Sequence, residues 1–295
     1  MARITANGLE LEVEQFGSPS ASPILLIRGL GSQIIHWPTR LIDGLVDSGF
    51  RVIAYDNRDA GLSQKLDGAG IPDIGAVRDL VRKGEAVRVP YSLHDMAADG
   101  VGVLDALEIE RAHVLGISMG GMILQVMAHR YPGRVKSAAI VMSSSGAPGL
   151  PAASSEVMDM LTSHPPKTDR ESVVTHTLMC DRAWASPLYP FDEAERRNLI
   201  GRAYDRSYYP EGATRQLAAI TADTSRHRSL SALRMPVTVI HGTDDTLLPI
   251  EHGRDIASRI PNAVLVEIEG MGHDLEGAVP AMIVDHVTKL ARRVT

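Results

Sequence analysis

Residues 113–122 read His-Val-Leu-Gly-Ile-Ser-Met-Gly-Gly-Met, and this stretch decides the fold. A short apolar strand leads directly into Gly116-Ile117-Ser118-Met119-Gly120, which matches the pattern Gly-x-Ser-x-Gly, and a helical pattern follows at residues 120–131. The pattern alone is weak, because a Gly/Ser turn without catalysis is the alternative. Its position strengthens it: a tight strand-to-helix turn lifts a serine hydroxyl above a sheet, and the helix N-terminus points N–H groups at a developing negative charge. Ser118 is therefore a candidate nucleophile.

Short apolar runs separated by helical patterns recur along the chain. Strands that alternate with helices in this way predict a largely parallel sheet with helices on both faces. Residues 9–14 alternate between apolar and charged side chains, which predicts a half-exposed strand near the sheet edge. The other predicted strands are residues 24–27, 52–55, 112–115, 138–142, 237–240 and 264–268, and the other predicted helices are residues 35–47, 93–107, 252–259 and 278–292.

A serine nucleophile needs a general base, and the base needs a group that orients it. In this topology the expected chain order is serine, then a carboxylate, then histidine. The strand at residues 237–240 is followed by His241-Gly242-Thr243-Asp244-Asp245, and the last strand by Gly270-Met271-Gly272-His273-Asp274. Because parallel strands place their carboxyl ends at one edge of a sheet, we expect Ser118, Asp245 and His273 to converge there.

Most of the 11 histidines are expected to be structural or exposed. His273 alone combines the chain order, the position after a strand and a glycine-rich loop. His241 lies just inside a strand end, which favours a packing role. His113 lies in the buried strand before Ser118 and is expected to be a hydrogen-bonded core residue.

The alternation of strands and helices stops between residues 143 and 235. Residues 144–232 contain helical patterns, such as 152–161 and 194–204, that are broken into short pieces by prolines, and they contain no convincing strand. An insertion of this length between two core strands predicts a helical cap. The predicted domains are therefore a core of residues 1–143 and 233–295 and a cap of residues 144–232.

Aromatic residues are scarce and unevenly placed: the chain has 12, and half of them lie in the predicted cap. Aromatic side chains supply large apolar contact areas and often line ligand pockets. Trp184, Tyr204 and Tyr208 are therefore predicted to line the substrate pocket. A small apolar core within the cap itself is the alternative use for these side chains.

Composition excludes several classes of protein. The 295 residues are 44% hydrophobic and 22% charged, an ordinary globular profile that excludes disorder, collagen and coiled coil. The formal net charge of -6 argues against a nucleic-acid partner, since such proteins usually carry a basic excess. The chain has no His-Glu-x-x-His, no cysteine cluster and no Gly-Lys-Ser/Thr loop, so no metal and no cofactor is predicted.

The expected location is the cytoplasm. The longest apolar runs, such as residues 24–27, are about four residues long, against the roughly 20 that cross a bilayer, so no membrane partner is predicted. The first eight residues contain no apolar stretch of signal-peptide length. The single cysteine, Cys180, cannot form an internal disulfide. The oligomeric state is left open.

The ordered set Ser118, Asp245 and His273, with the strand pattern around it, resembles the α/β-hydrolase fold over essentially the whole chain. Several stretches are similar to those of bacterial carboxylesterases of the aclacinomycin methylesterase type. They are Tyr-Asp-Asn-Arg-Asp-Ala-Gly-Leu-Ser at 55–63, Tyr-Ser-Leu-His-Asp-Met-Ala-Ala-Asp at 91–99, Gly-Ile-Ser-Met-Gly-Gly-Met-Ile at 116–123 and Gly-Met-Gly-His-Asp-Leu at 270–275.

The resemblance implies a role for each residue of the set. Ser118 would be the nucleophile, His273 the general base and then acid, and Asp245 the orienting carboxylate. Asp245 fits the family spacing, three residues after a glycine and four before a proline, and Asp244 stays an alternative.

The resemblance also implies an oxyanion hole formed by the backbone N–H groups of Leu30 and Met119. Relatives usually have His-Gly in the loop after the 24–27 strand, whereas this chain has Arg28-Gly29. A main-chain donor survives that change of side chain. The role of Arg28 is left open, and bracing of the loop on a nearby carboxylate, with Asp56 and Asp59 as candidates, is one interpretation.

The function that follows is hydrolysis of a small-molecule carboxylic ester through an acyl-enzyme on Ser118. The resemblance suggests a bulky natural-product methyl ester or a lactone as the substrate. Because a fold does not fix a reaction, C–C bond hydrolysis and thioesterase, lyase or haloperoxidase-like chemistry are alternatives. A small-molecule receptor that keeps the fold as a binding pocket is a third hypothesis.

Overall fold

The computed structural model describes residues 2–294, which are organised around one sheet of eight strands. The strand order is β1-β2-β4-β3-β5-β6-β7-β8; β1 and β2 run antiparallel to their neighbours, and the other strands are parallel. The strands are β1 (Ala2–Ala6), β2 (Leu9–Phe16), β3 (Ser22–Ile27), β4 (Phe50–Tyr55), β5 (Ala112–Ile117), β6 (Val135–Val141), β7 (Val237–Gly242) and β8 (Val264–Ile268).

The central strands are buried on both faces, as their apolar runs predict. All six residues of β5 and all six of β7 are buried, whereas β8, at the edge, is largely accessible. The opposite edge differs from the prediction, because β1 pairs outside β2. Asn7 and Gly8 both have positive φ and join the two strands in a two-residue hairpin, so the Asn-Gly pair was the signal for this extra strand.

Ten α-helices lie within residues 2–294, and none of them is long and apolar enough to span a membrane. Apolar side chains of α3, α4 and α9 pack on one face of the sheet, and those of α1 and α10 on the other. The helices are α1 (Thr39–Asp47), α2 (Ile74–Lys83), α3 (Leu93–Ala106), α4 (Met119–Arg130), α5 (Ser155–Thr162), α6 (Arg170–Ala183), α7 (Glu193–Ser207), α8 (Pro210–Ala222), α9 (Glu251–Arg259) and α10 (Val279–Ala291).

The predicted helix at residues 35–47 begins later than expected. A short 3-10 turn at Ile34–His36 comes first, and α1 starts only at Thr39, after Pro38. A residue that precedes proline is pushed out of the helical region, and Trp37 accordingly has an extended backbone. The proline therefore separates the turn from the helix.

The segment between β6 and β7 contains α5, α6, α7 and α8 and, within its described residues, no strand. Helices α6 and α7 pack together around Val174, Leu178 and Ile200, with Phe191 against them. Helix α8 packs on α2. Helices α5 and α7 correspond to predicted helical patterns, whereas α6 and α8 had no predicted counterpart.

The loop after β4, residues 56–63 (the β4 loop), ties this insertion to the core. Arg206 of α7 lies 2.7 Å from Asp56, and Arg215 of α8 binds both carboxylate oxygens of Asp59, at 2.8 and 3.0 Å. Both aspartate side chains are fully buried. Each carboxylate is thus a counter-charge for an arginine that comes about 150 residues later in the chain.

Candidate active site

Ser118 stands on a sharp turn between β5 and α4. Its backbone is strained, with φ 56° and ψ −120°. The flanking glycines are required by close backbone contacts: a Cβ at Gly116 would lie 2.3 Å from the carbonyl oxygen of Gly120, and a Cβ at Gly120 would lie 2.0 Å from that of Ile27. The turn holds the serine above the sheet, as the Gly-x-Ser-x-Gly pattern indicates.

The three residues of the predicted set come together at the carboxyl edge of the sheet. His273 Nε2 lies 3.0 Å from Ser118 Oγ, and His273 Nδ1 lies 2.7 Å from Asp245 Oδ2. A carboxylate can only accept, so Nδ1 carries the proton and Nε2 is free to accept the serine hydroxyl proton. The hydrogen bonds therefore run in the order that a nucleophile, a base and an orienting group require.

Asp245 is held as an anion in a buried position. Its Oδ1 accepts hydrogen bonds from the N–H groups of Leu247 and Leu248, at 3.0 and 2.8 Å. Burial alone would raise the pKa of this carboxyl, but the neighbouring imidazoles of His273 and His241 outweigh it and hold the pKa well below its usual range. Asp245 therefore carries a negative charge throughout the neutral range.

The other aspartate of the pair faces elsewhere. Asp244 accepts hydrogen bonds from the hydroxyl of Thr243 and the N–H of Gly270, and so holds two loops together. His241, for which a packing role was expected, is fully buried beneath Asp245, with Nε2 2.7 Å from the carbonyl of Leu248 and 3.4 Å from Asp245 Oδ2. Its contacts support the loop that carries Asp245.

The loop that carries His273 is fixed to the end of α6. The N–H of His273 donates to the carbonyl of Trp184 at 2.7 Å. Asp274 accepts from both the N–H and the hydroxyl of Ser186, at 2.7 and 2.5 Å, and Ser186 Oγ in turn accepts from the N–H of Gly272. The residue after α6 therefore sets the backbone position of the histidine.

The two predicted oxyanion donors flank Ser118. Helix α4 begins at Met119, so its N–H has no acceptor within the helix. Leu30 lies in the loop after β3, residues 28–33 (the β3 loop), whose Gly29 is close enough that a Cβ there would be 3.2 Å from Ser118 Cβ. The next N–H, that of Gly31, donates to Gln216 of α8 at 2.8 Å, which ties the β3 loop to α8.

Two neighbouring cavities share His36 and Arg196 in their walls, and one of them reaches the serine. One, of about 700 Å³, is lined by Ser118 and His273 and also by Trp184. The other, of about 810 Å³, lies beneath α7 and α8 and is lined by Tyr204 and Tyr208, whose rings stack 5.1 Å apart. Of the three predicted pocket aromatics, Trp184 therefore lines the serine cavity, and Tyr204 and Tyr208 line the neighbouring one.

Arg28 does not brace its loop on either candidate carboxylate. Asp56 is occupied by Arg206, and Asp59 by Arg215. Arg28 instead lies in the wall of the serine cavity, with its guanidinium over the ring of Trp37, 4.8 Å from the centroid. Sequence could not show this, because the arginines that take the two carboxylates come from helices far along the chain.

Several curated proteins are similar to this chain in sequence. The rhodomycin D methylesterase of Streptomyces peucetius is 31% identical over 94% of this chain and 93% of its own length. The rhodomycin D methylesterase of Streptomyces sp. (strain C5) is 30% identical over the same shares. A poly(3-hydroxyalkanoate) depolymerase of Ectopseudomonas oleovorans is 28% identical over 87% of this chain and 80% of its own.

Solved structures with the same fold include the enol-lactonase from Burkholderia xenovorans LB400, with a TM-score of 0.73 and 22% identity over 99% of this chain and 100% of that one. A meta-cleavage product hydrolase from Pseudomonas fluorescens IP01 has a TM-score of 0.76 and 19% identity over 100% and 98% of the two chains. At these identities the likeness shows the fold alone. The family model described as "alpha/beta hydrolase fold" matches residues 22–275, so the chain belongs to the α/β hydrolase family.

Proposed function

We propose that this protein is a serine hydrolase that cleaves a carboxylic ester through an acyl-enzyme on Ser118. The observation that carries the proposal is the hydrogen-bonded chain from Ser118 through His273 to the buried, ionised Asp245 at the wall of a cavity. The similarity to two methylesterases over most of the chain supports the same reaction class.

The first half of the reaction forms the acyl-enzyme. His273 Nε2 removes the hydroxyl proton of Ser118, and Oγ attacks the ester carbonyl. The negative charge on the carbonyl oxygen is held by the backbone N–H groups of Met119 and Leu30. The alkoxide then leaves, and takes its proton from His273.

The second half releases the acid. A water molecule gives a proton to His273 Nε2 and attacks the acyl carbon, and the serine oxygen leaves with that proton. Asp245 keeps the imidazole in the correct tautomer and stabilises the imidazolium that forms in each half.

The substrate is proposed to be a bulky ester, such as a natural-product methyl ester or a lactone. Two adjoining cavities of about 700 and 810 Å³ can together hold a large molecule beside the serine. Both relatives are, by name, methylesterases of rhodomycin D, which supports a methyl ester, in which the alcohol is small.

The serine is tested with Ser118→Ala and 4-nitrophenyl butyrate. Loss of the nucleophile is expected to lower kcat by a factor on the order of 10⁴ or more, because the remaining groups cannot form the acyl-enzyme. A fluorophosphonate probe is expected to label the wild-type protein, and not the variant, in an intact-mass measurement. Exposed Ser231→Ala is the matched control and is expected to keep both activity and labelling.

Most of the wild-type rate remaining in purified Ser118→Ala would reject the nucleophile. Wild-type protein that is labelled but turns over no ester in a panel of varied acyl and alcohol parts would point to one of the other reactions that the family's fold supports.

A further inference from the structure

One cation in the wall of the serine cavity has no carboxylate partner. The side chain of Arg28 makes no hydrogen bond to any group in residues 2–294, and two of its nitrogen atoms, Nε and Nη1, are sealed from solvent. Its protein contact is the stacking of the guanidinium on Trp37. A guanidinium carries five N–H donors, so most of its hydrogen-bonding capacity is unused.

The acidic groups that line the same cavity are already occupied or point into solvent. Asp181 and Glu276 lie 2.7 and 3.5 Å from Arg196, the second arginine of this wall. Asp274 accepts from Ser186. The remaining two, Asp192 and Glu195, are exposed at the N-terminus of α7. None of these five carboxylates therefore pairs with Arg28.

A second donor lies in the same wall. His36 Nδ1 accepts the N–H of Gln33 at 2.8 Å, so the proton of a neutral ring is on Nε2. Burial, with the charges of Arg28 and Arg196, lowers the pKa of His36 to about 3, which keeps the ring neutral. Nε2–H has no partner in the part of the chain that the structure describes, and the residue lines both cavities.

An unpaired guanidinium in a partly closed cavity is costly to maintain. Burial, with the nearby charge of Arg196, lowers the pKa of Arg28, which is the sign of that cost. An anion that enters the cavity relieves it by supplying the missing charge and hydrogen bonds. Nη2 is the guanidinium nitrogen that solvent reaches, so it can donate to a carboxylate oxygen in the cavity, and one cation beside a neutral imidazole suits a single negative charge.

We propose that Arg28, with His36 Nε2–H beside it, binds a carboxylate of the substrate, so that the preferred substrate is an ester that also carries a free acid group. This inference rests on the proposed ester hydrolysis and names its substrate class. Arg28 acts here as a specificity-determining residue and takes no part in the bond-breaking steps.

The test compares acidic esters with neutral esters of matched size. For an acid on the acyl side, the pair is mono(4-nitrophenyl) adipate and 4-nitrophenyl hexanoate. For an acid on the alcohol side, the pair is 3-acetoxybenzoate and 3-acetoxybenzamide. We expect wild-type kcat/KM to favour the acidic member of at least one pair, and that pair identifies which side of the ester carries the acid.

Arg28→Met is expected to lower this preference, the ratio of kcat/KM for the acidic ester to that for the neutral one, by about 30-fold or more. Arg28→Lys keeps the charge without the fork and is expected to retain part of the preference. The control is Arg40→Met, which removes an exposed arginine at the rim of the same cavity and is expected to change the ratio less than threefold.

A preference that Arg28→Met leaves within threefold, or a wild-type protein that disfavours the acid in both pairs, overturns the proposal. Thermal unfolding of each variant shows whether it is folded. If Arg28→Met does not fold, Arg28→Lys still tests the preference.

A binding measurement separates this inference from the proposed function. Calorimetric titration of Ser118→Ala with adipic acid mono-anilide, a non-ester analogue, is expected to show binding that weakens tenfold or more when Arg28→Met is added. Arg28-dependent binding without any ester turnover would reject the proposed function and keep the subsite. Ester turnover with binding and preference unaffected by Arg28 would reject the subsite alone.

Discussion

The β3 loop and the β4 loop lie side by side at the carboxyl edge of the sheet, yet they differ in whether their charged side chains are paired. In the β4 loop, Asp56 is bound to Arg206 of α7 and Asp59 to Arg215 of α8. In the β3 loop, Arg28 has no carboxylate, although its backbone carbonyl accepts a hydrogen bond from Asn57 of the β4 loop, at 3.1 Å. Paired charges at this edge hold the structure together, and the unpaired one is free for a ligand.

The largest effect on stability is expected when Asp59 loses its charge. Asp59→Asn leaves buried Arg215 without a counter-charge, and we expect the free energy of unfolding to fall by about 3–5 kcal/mol. Asparagine tolerates the left-handed backbone of Asp59 (φ 64°), so backbone strain does not contribute. Urea denaturation followed by circular dichroism measures the change.

The control for Asp59→Asn is Asp285→Asn, which removes a pair with Lys289 that is more than half exposed and is expected to cost less than about 1 kcal/mol. A loss at Asp59 no larger than the loss at Asp285 would show that the buried pair does not hold the cap.

The second prediction concerns the fit of α8 against the β4 loop. A Cβ at Gly212 would lie 2.0 Å from the carbonyl oxygen of Asp59, a backbone atom that cannot turn aside. Gly212→Ala is therefore expected to lower the free energy of unfolding by about 1–3 kcal/mol in urea denaturation.

Gly133→Ala is the matched control for Gly212→Ala, because a Cβ there meets nothing within 4 Å, and it is expected to be near neutral. Equal effects at the two glycines would mean that α8 can move away from the β4 loop at no cost.

The smallest effect on stability is expected at Arg28. Arg28→Met removes a cation–π contact worth about 0.5–1 kcal/mol and also the cost of an unpaired charge, so the free energy of unfolding should change by less than about 1 kcal/mol. The same urea denaturation measures it. A loss above about 3 kcal/mol would place Arg28 with the structural charges of the β4 loop and against a ligand role.

Features that depend on neighbours in the chain could be predicted from the sequence. The strand, turn and helix around Ser118 follow from glycines within two residues of it, and the chain order of the three polar residues follows from the topology. The prediction of the α/β hydrolase family is confirmed by the match over residues 22–275. The cap boundaries at residues 144 and 232, and the catalytic roles, stay predictions.

Features that depend on distant contacts could not be predicted. The partners of Asp56 and Asp59 come from α7 and α8, and no local pattern connects them. Strand β1 was missed although Asn7-Gly8 marks its turn, because a five-residue strand with exposed side chains gives little apolar signal. The contacts of Arg28 could not be predicted either, because they depend on the pairing of Asp56 and Asp59 with these distant arginines.

The hydrogen bond from the N–H of His273 to the carbonyl of Trp184 matters for chimaeras, in which a segment of this chain is replaced by that of a relative. A Cβ at Gly272 would lie 2.5 Å from the same carbonyl oxygen, so the histidine loop and the end of α6 fit together at backbone level. A chimaera in which the segment between β6 and β7 comes from a relative, in order to change the substrate range, therefore also loses the carbonyl that holds the N–H of His273. Such a graft must keep residues 184–186 of this chain, or re-create their contacts, before new selectivity can be measured.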